Sequence, residues 1–130
     1  MTSKATITAV FPKLLVRDVE QSLRYYREML GFRVSGSFDE PPVFGIVERD
    51  GRGLHLKRGE PRLRRNAGEA WGVYFEVRGL DELHAELVGK GVQVLRGPEH
   101  VPHGMKELDV ADPDGYILCF AEDVAPVRSP

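Results

Sequence analysis

The sequence predicts an α+β fold in which one βαβββ unit occurs twice, and three observations predict it. Strand-like and helix-like patterns follow one another in the same order in both halves of the 130 residues. Residues also recur between the halves at a nearly constant offset. Val16-Arg17 returns as Val77-Arg78, Gly31-Phe32-Arg33-Val34 as Gly91-Val92-Gln93-Val94, and Asp50-Gly51 as Asp114-Gly115, at offsets of 61, 60 and 64. Each helix pattern stops at a glycine, Gly31 or Gly91, which accepts the left-handed backbone common just past a helix end.

The elements follow in order. Residues 7–16 are rich in β-branched and apolar side chains and read as a strand. Asp18 opens a helix, with Gln21 three residues on as in a capping box. Val19, Leu23, Tyr26 and Leu30 then line one face of it. Residues 32–38, 43–48 and 53–57 read as strands, separated by turns at Pro41-Pro42 and Asp50-Gly51. The pattern restarts with a strand at 71–77 and a helical face of Leu80, Leu83 and Leu87. Strands at 92–95, 105–111 and 116–121 complete it, the last two joined by the turn Asp112-Pro113-Asp114-Gly115. The expected organisation is a single domain over residues 1–130: module one at about 5–58, a linker at about 59–69, module two at about 70–123.

Composition narrows the function classes. A net charge of -2 gives no reason to expect nucleic acid or an anionic membrane as partner. No apolar run approaches the length that spans a bilayer. Met-Thr-Ser-Lys at the start lacks an apolar signal core, so a cytoplasmic protein is expected. The single cysteine, Cys119, excludes an internal disulfide and a multi-cysteine zinc site.

Three stretches carry a family likeness. The run from Leu15 to Phe32, Leu-Val-Arg-Asp-Val-Glu-Gln-Ser-Leu-Arg-Tyr-Tyr-Arg-Glu-Met-Leu-Gly-Phe, resembles the N-terminal signature of the vicinal oxygen chelate superfamily of glyoxalases, bleomycin resistance proteins and extradiol dioxygenases. Val73-Tyr-Phe-Glu-Val77 followed by Leu80-Asp-Glu-Leu83 resembles the start of its second module. Gly104-Met-Lys-Glu107 with Asp112-Pro-Asp-Gly-Tyr116 resembles the closing hairpin of its bleomycin-resistance-like branch. The resemblance implies two modules whose strands form a cupped eight-stranded mixed sheet with helices outside. It also implies a homodimer with pockets at or near the interface.

In metal-using members, the resemblance places four ligands on the first and last strands of each module. Those positions here are Phe11, His55, Gly72 and Cys119. Phe and Gly offer no donor atom, and two residues satisfy neither a catalytic zinc nor a non-haem iron site. The expectation is no metal and no cofactor. An alternative set adds Glu107 to His55 and Cys119.

Strand alternation sorts the remaining residues. Phe11, Lys13, His55 and Lys57 face inward in module one, as do Tyr74, Glu76, Glu107, Asp109 and Cys119 in module two. Of these, Phe11, His55, Tyr74, Glu76, Glu107 and Cys119 are the expected ligand-binding set. Aromatics beside a few polar anchors suit a small organic ligand. Glu107, if buried and unpaired, would carry a desolvation cost that a donor or cation on the ligand relieves. His55 is the one candidate general base. The leading expectation is a protein that sequesters an antibiotic-like or other organic ligand unchanged, as in antibiotic resistance. The alternatives are a lyase, isomerase or dioxygenase with a non-standard metal site or His55 as base, and an interaction module with a dry cup. A basic linker with Arg62, Arg64 and Arg65 stands as a candidate lid over the pocket.

Overall fold

Strand β1 (Lys13–Val16) leads into helix α1 (Val19–Glu28), then β2 (Arg33–Phe38), β3 (Phe44–Arg49) and β4 (Arg52–Arg58). The order repeats as β5 (Trp71–Glu76), α2 (Leu80–Gly89), β6 (Val94–Val101), β7 (Met105–Ala111) and β8 (Ile117–Asp123). This is a computed structural model, and it describes residues 4–61 and 71–125 apart from the Trp71 side chain.

Two strands differ from the reading of the sequence. The first was expected over 7–16 but pairs only from Lys13. Pro12 has no N–H to give the ladder, although its carbonyl still accepts from His55 N at 2.8 Å. Ahead of it Ile7 and Val10 stand exposed. The strand expected at 92–95 runs instead to Val101, through Pro98. A proline survives there because β6 is an edge strand and its pairing shifts register between Arg96 and Glu99.

The eight strands form two mixed sheets of four, ordered β1-β4-β3-β2 and β5-β8-β7-β6. In each, the first and last strands of the unit run parallel and the other pairs antiparallel. Among the described residues no ladder joins the two sheets. The registers are equivalent: Lys13 lies opposite His55, and Tyr74 opposite Cys119.

One face of each sheet packs against the helices. Leu14, Val16, Val47, Leu54 and Leu56 from the first sheet share a core with Leu108, Val110, Leu118 and Phe120 from the second. Val19, Leu23, Tyr26, Leu80 and Leu87 complete it from the helices. Alternation then sends His55, Tyr74, Glu107 and Cys119 to the opposite, helix-free faces.

The helices start differently. Asp18 accepts from Gln21 N at 3.0 Å and caps α1 as its sequence implies. The matching position on α2 is Gly79, with φ of 84° and no side chain to offer. Glu122 on β8 supplies the cap from a distance, accepting from Gly79 N at 2.9 Å and Leu80 N at 3.0 Å.

The two units lock through the turn between β7 and β8. Asp112 and Asp114 in that turn are buried. Asp112 accepts the Tyr26 hydroxyl at 2.8 Å, and Asp114 accepts from Arg17 N at 2.9 Å and Ser22 Oγ at 3.4 Å. Tyr25 donates to the Ala111 carbonyl at 3.0 Å, and Tyr116 to the Leu15 carbonyl at 2.7 Å. The sequence showed these residues only as a turn and a helix face.

Candidate functional site

The helix-free face of the first sheet carries a row of four rings. Phe11 stacks on His55 with centroids 4.7 Å apart and planes 29° from parallel. His55 meets Phe44 edge-on at 5.1 Å, and Phe44 lies 5.6 Å from Phe38. The register explains the row. Ile46 lies opposite His55, so Phe44, two residues away on the same strand, shares their face, and Phe38 lies opposite Phe44. Phe11 is 40% and Phe38 60% exposed, so the row is a stacking surface open to solvent. Phe38 and Phe44 were not singled out in the sequence. The signal was present, since alternation through 43–48 places Phe44 and Ile46 on the side of His55.

The helix-free face of the second sheet is polar and organised by Arg96. Its guanidinium reaches Asp109 at 2.8 and 3.2 Å, Glu107 at 2.7 Å and Glu99 at 2.9 Å. Tyr74 donates its hydroxyl to the other oxygen of Glu107 at 2.9 Å. Glu107 and Asp109 are buried, and β6 must come close to β7 to cover them. Gly97 permits that approach: a Cβ there would sit 2.1 Å from the Glu107 carbonyl oxygen. The hydrogen bonds it donates to Asp109, then to Glu107, hold Arg96 firmly in its charged form. Burial, then the hydrogen bond to Glu107, pushes the Tyr74 hydroxyl up to about 12. Cys119 is buried beside Asp109, and burial raises its thiol far above the ordinary range.

For Glu107 the first half of the condition is met and the second is not. It is buried, but Arg96 and Tyr74 hold both its oxygens. Arg96 is a residue the sequence did not single out, because its buried partners lie 11 and 13 residues away and meet it only across the β6–β7 ladder. Lys13 and Lys57 are exposed on the other sheet.

The structure therefore gathers the expected site residues into two groups. Phe11 and His55 touch on the first sheet. Tyr74 and Glu107 bond on the second, with Cys119 opposite Tyr74 in register and Glu76 exposed two residues along β5. Among the described residues no hydrogen bond, ion pair or ring contact joins the two groups. His84 is half-buried on α2, while His100 and His103 are exposed. Arg62, Arg64 and Arg65 lie outside the described residues.

The donor chemistry at the four family metal positions does not fit a metal. Phe11 presents a ring and Gly72 a bare backbone, where a Cβ would meet Tyr116 Cβ at 3.0 Å. Among the described residues no three His, Cys, Asp or Glu side chains converge as a ligand set. Glu107, the alternative third ligand, is committed to Arg96 and Tyr74.

Residues 7–120 match the model of the Glyoxalase/Bleomycin resistance protein/Dioxygenase superfamily. The chain belongs to this superfamily. Solved structures share its fold. A glyoxalase-related enzyme from Clostridium phytofermentans superposes with a TM-score of 0.79 at 21% identity, over 95% of this chain and 100% of that one. TioX from Micromonospora sp. ML1 gives 0.74 at 19% identity, over 89% and 98%. TnmS3 from Streptomyces sp. CB03234, described as an antibiotic binding protein, gives 0.71 at 22% identity, over 93% and 99%. A search of the curated proteins gives no match. At these identities the likeness establishes the glyoxalase/bleomycin-resistance fold, and activity has to be argued from the site.

Proposed function

We propose that this superfamily member is a metal-free small-molecule-binding protein that holds a partly aromatic organic ligand without changing it. The observation that carries this reading is the open row Phe11–His55–Phe44–Phe38. Exposed stacked rings cost solvation in the free protein, and a flat ligand laid on them recovers it. Tyr74, Glu76, Glu107 and Cys119 supply the polar counterpart, joined by Arg96. Three carboxylates around one guanidinium leave that face net negative, which favours a ligand with a donor or cationic group. The antibiotic-binding neighbour TnmS3 supports an antibiotic-like ligand.

The two faces belong to separate sheets of one chain. A homodimer that apposes the ring row of one copy to the Arg96 face of the other would give one ligand both sets of contacts. The reading is of one domain, with module one at about 5–58 and module two at about 70–123, acting in the cytoplasm. Among the described residues no helix is long and apolar enough to cross a membrane.

The test is a thermal-shift screen of planar aromatic antibiotics, followed by calorimetry on the variants. Phe44→Ala and His55→Ala should each weaken a hit by roughly 0.5–1.5 kcal/mol, the range for one aromatic contact. The ligand should be recovered intact after incubation. A hit consumed by the protein, or unaffected by both variants, overturns the reading.

A further inference from the structure

The two units use the same Asp-Gly turn in opposite ways. In the second unit the Asp114 side chain is 5% exposed and fixed on α1, and Tyr116 closes the space beside β1. In the first unit the equivalent turn, Asp50-Gly51, faces α2, and Asp50 is 89% exposed. The exchange of residues explains the difference. Ser22, which donates to Asp114, corresponds to Leu83, which has no donor. Tyr116 corresponds to Arg52, whose side chain turns back to the Asp50 carbonyl at 2.7 Å. Among the described residues only Arg49 ties this turn down, through Glu86 at 2.8 and 3.0 Å and the Leu30 carbonyl at 2.8 Å. A cleft of about 950 Å³ remains where the other unit is filled.

We propose that this cleft binds a short peptide with free termini and one large apolar side chain. The floor is apolar: Phe75 stacks on Phe120 at 5.0 Å and meets Phe32 edge-on at 6.0 Å, with Leu83 beside them. One wall is the outer edge of β5, the last strand of its sheet. Val77 sends its N–H to β8, at 2.7 Å from the Ala121 carbonyl. Alternate residues of a parallel pair face the neighbour, so Glu76 turns its N–H and C=O toward the cleft. An extended backbone adds to such an edge and seats a side chain in the adjoining pocket.

The rim supplies both signs of charge. Among the described residues Arg78 has no hydrogen bond or ion pair, and Arg52 has only its bond to a carbonyl. Glu76 and Glu82 are likewise exposed and without an ion pair among the described residues. A peptide's carboxylate and ammonium ends complement these guanidinium and carboxylate groups, which a purely apolar or singly charged ligand does not. The cleft lies at the β5 edge, away from the ring row of the first sheet, and shares Tyr74 and Glu76 with the polar group named above, so signals at Ile46 and His55 on the ring face distinguish the two readings.

The probe is the tripeptide Ala-Phe-Ala added to ¹⁵N-labelled full-length protein. Saturable amide shifts are expected at Glu76, Val77, Gly79 and Leu83, with Ile46 and His55 unmoved. Ala-Ala-Ala, and Ala-Phe-Ala with blocked termini, should each bind at least about fivefold more weakly, the effect of about 1 kcal/mol. Arg78→Glu, an exposed change, should weaken the free tripeptide about fivefold and leave the blocked one unchanged. No saturable shift at Glu76–Leu83 overturns the proposal. So do shifts centred on Ile46 and His55, which assign the peptide to the ring face. So does a Glu76–Leu83 spectrum that changes on dilution without peptide, which places a second copy of the chain in the cleft.

Discussion

Tyr26 donates its hydroxyl to the buried carboxylate of Asp112 at 2.8 Å, across 86 residues of chain, and so ties the first helix to the last hairpin turn. The other Asp112 oxygen accepts from Asp114 N and Tyr116 N, each at 2.9 Å. Burial outweighs these bonds and, with the charge of Asp114, raises the Asp112 carboxyl to about 6.

A pH dependence follows from that elevation. The folded state binds this proton more tightly than the unfolded chain does, so between about pH 4 and 6 it holds more protons. Asp112 therefore makes stability fall as pH rises through that window, by roughly 2–3 kcal/mol in all. Asp112→Asn preserves the turn acceptor and lets Tyr26 accept instead of donate. Urea denaturation from pH 4 to 7 should show variant and parent diverging across the window and parallel above it. Parallel curves throughout would show that Asp112 titrates normally.

All four tyrosines, Tyr25, Tyr26, Tyr74 and Tyr116, ionise above the free value of 10, each mainly because burial disfavours the phenolate. Alkaline titration followed by phenolate absorbance should find no tyrosine with a midpoint near 10 in the folded protein. The signal should instead rise late and together with the loss of near-UV dichroism.

Arg96→Ala should destabilise the fold by about 2–4 kcal/mol, somewhat below the full cost of orphaning a buried charge because Arg96 itself is 27% exposed. The cause is Glu107 and Asp109, left buried with no cation. Arg96→Ala combined with Glu107→Gln should recover part of the loss, because one stranded charge is gone. Chemical denaturation of the two variants measures the difference.

Two glycines should respond in opposite directions. Gly97→Ala drives a Cβ to 2.1 Å from a backbone oxygen at φ of +84° and should cost more than about 2 kcal/mol. Gly89→Ala, at the end of α2 with nothing within 4 Å, should gain up to about 0.5–1 kcal/mol. Thermal melts order the three proteins.

The repeat, the helix faces and the side of the sheet taken by each strand residue were legible in the sequence, because periodicity and register are local. Leu14, Leu54 and Leu118 went to the core and His55 and Tyr74 to the opposite faces, as alternation requires. The Asp18 cap was legible too, since donor and acceptor lie three residues apart. Tertiary structure alone decided what met across the chain. It gave Glu107 a counter-ion in Arg96, completed the ring row with Phe38 and Phe44, and made a buried lock of Asp112 and Asp114. It also supplied Glu122 as the missing cap of α2 and left the first unit's turn standing off where the second is plugged. Hydrophobic pattern dictates which way a residue points, but a charge finds its partner only when two distant segments are brought within about 3 Å, and no local spacing encodes that distance.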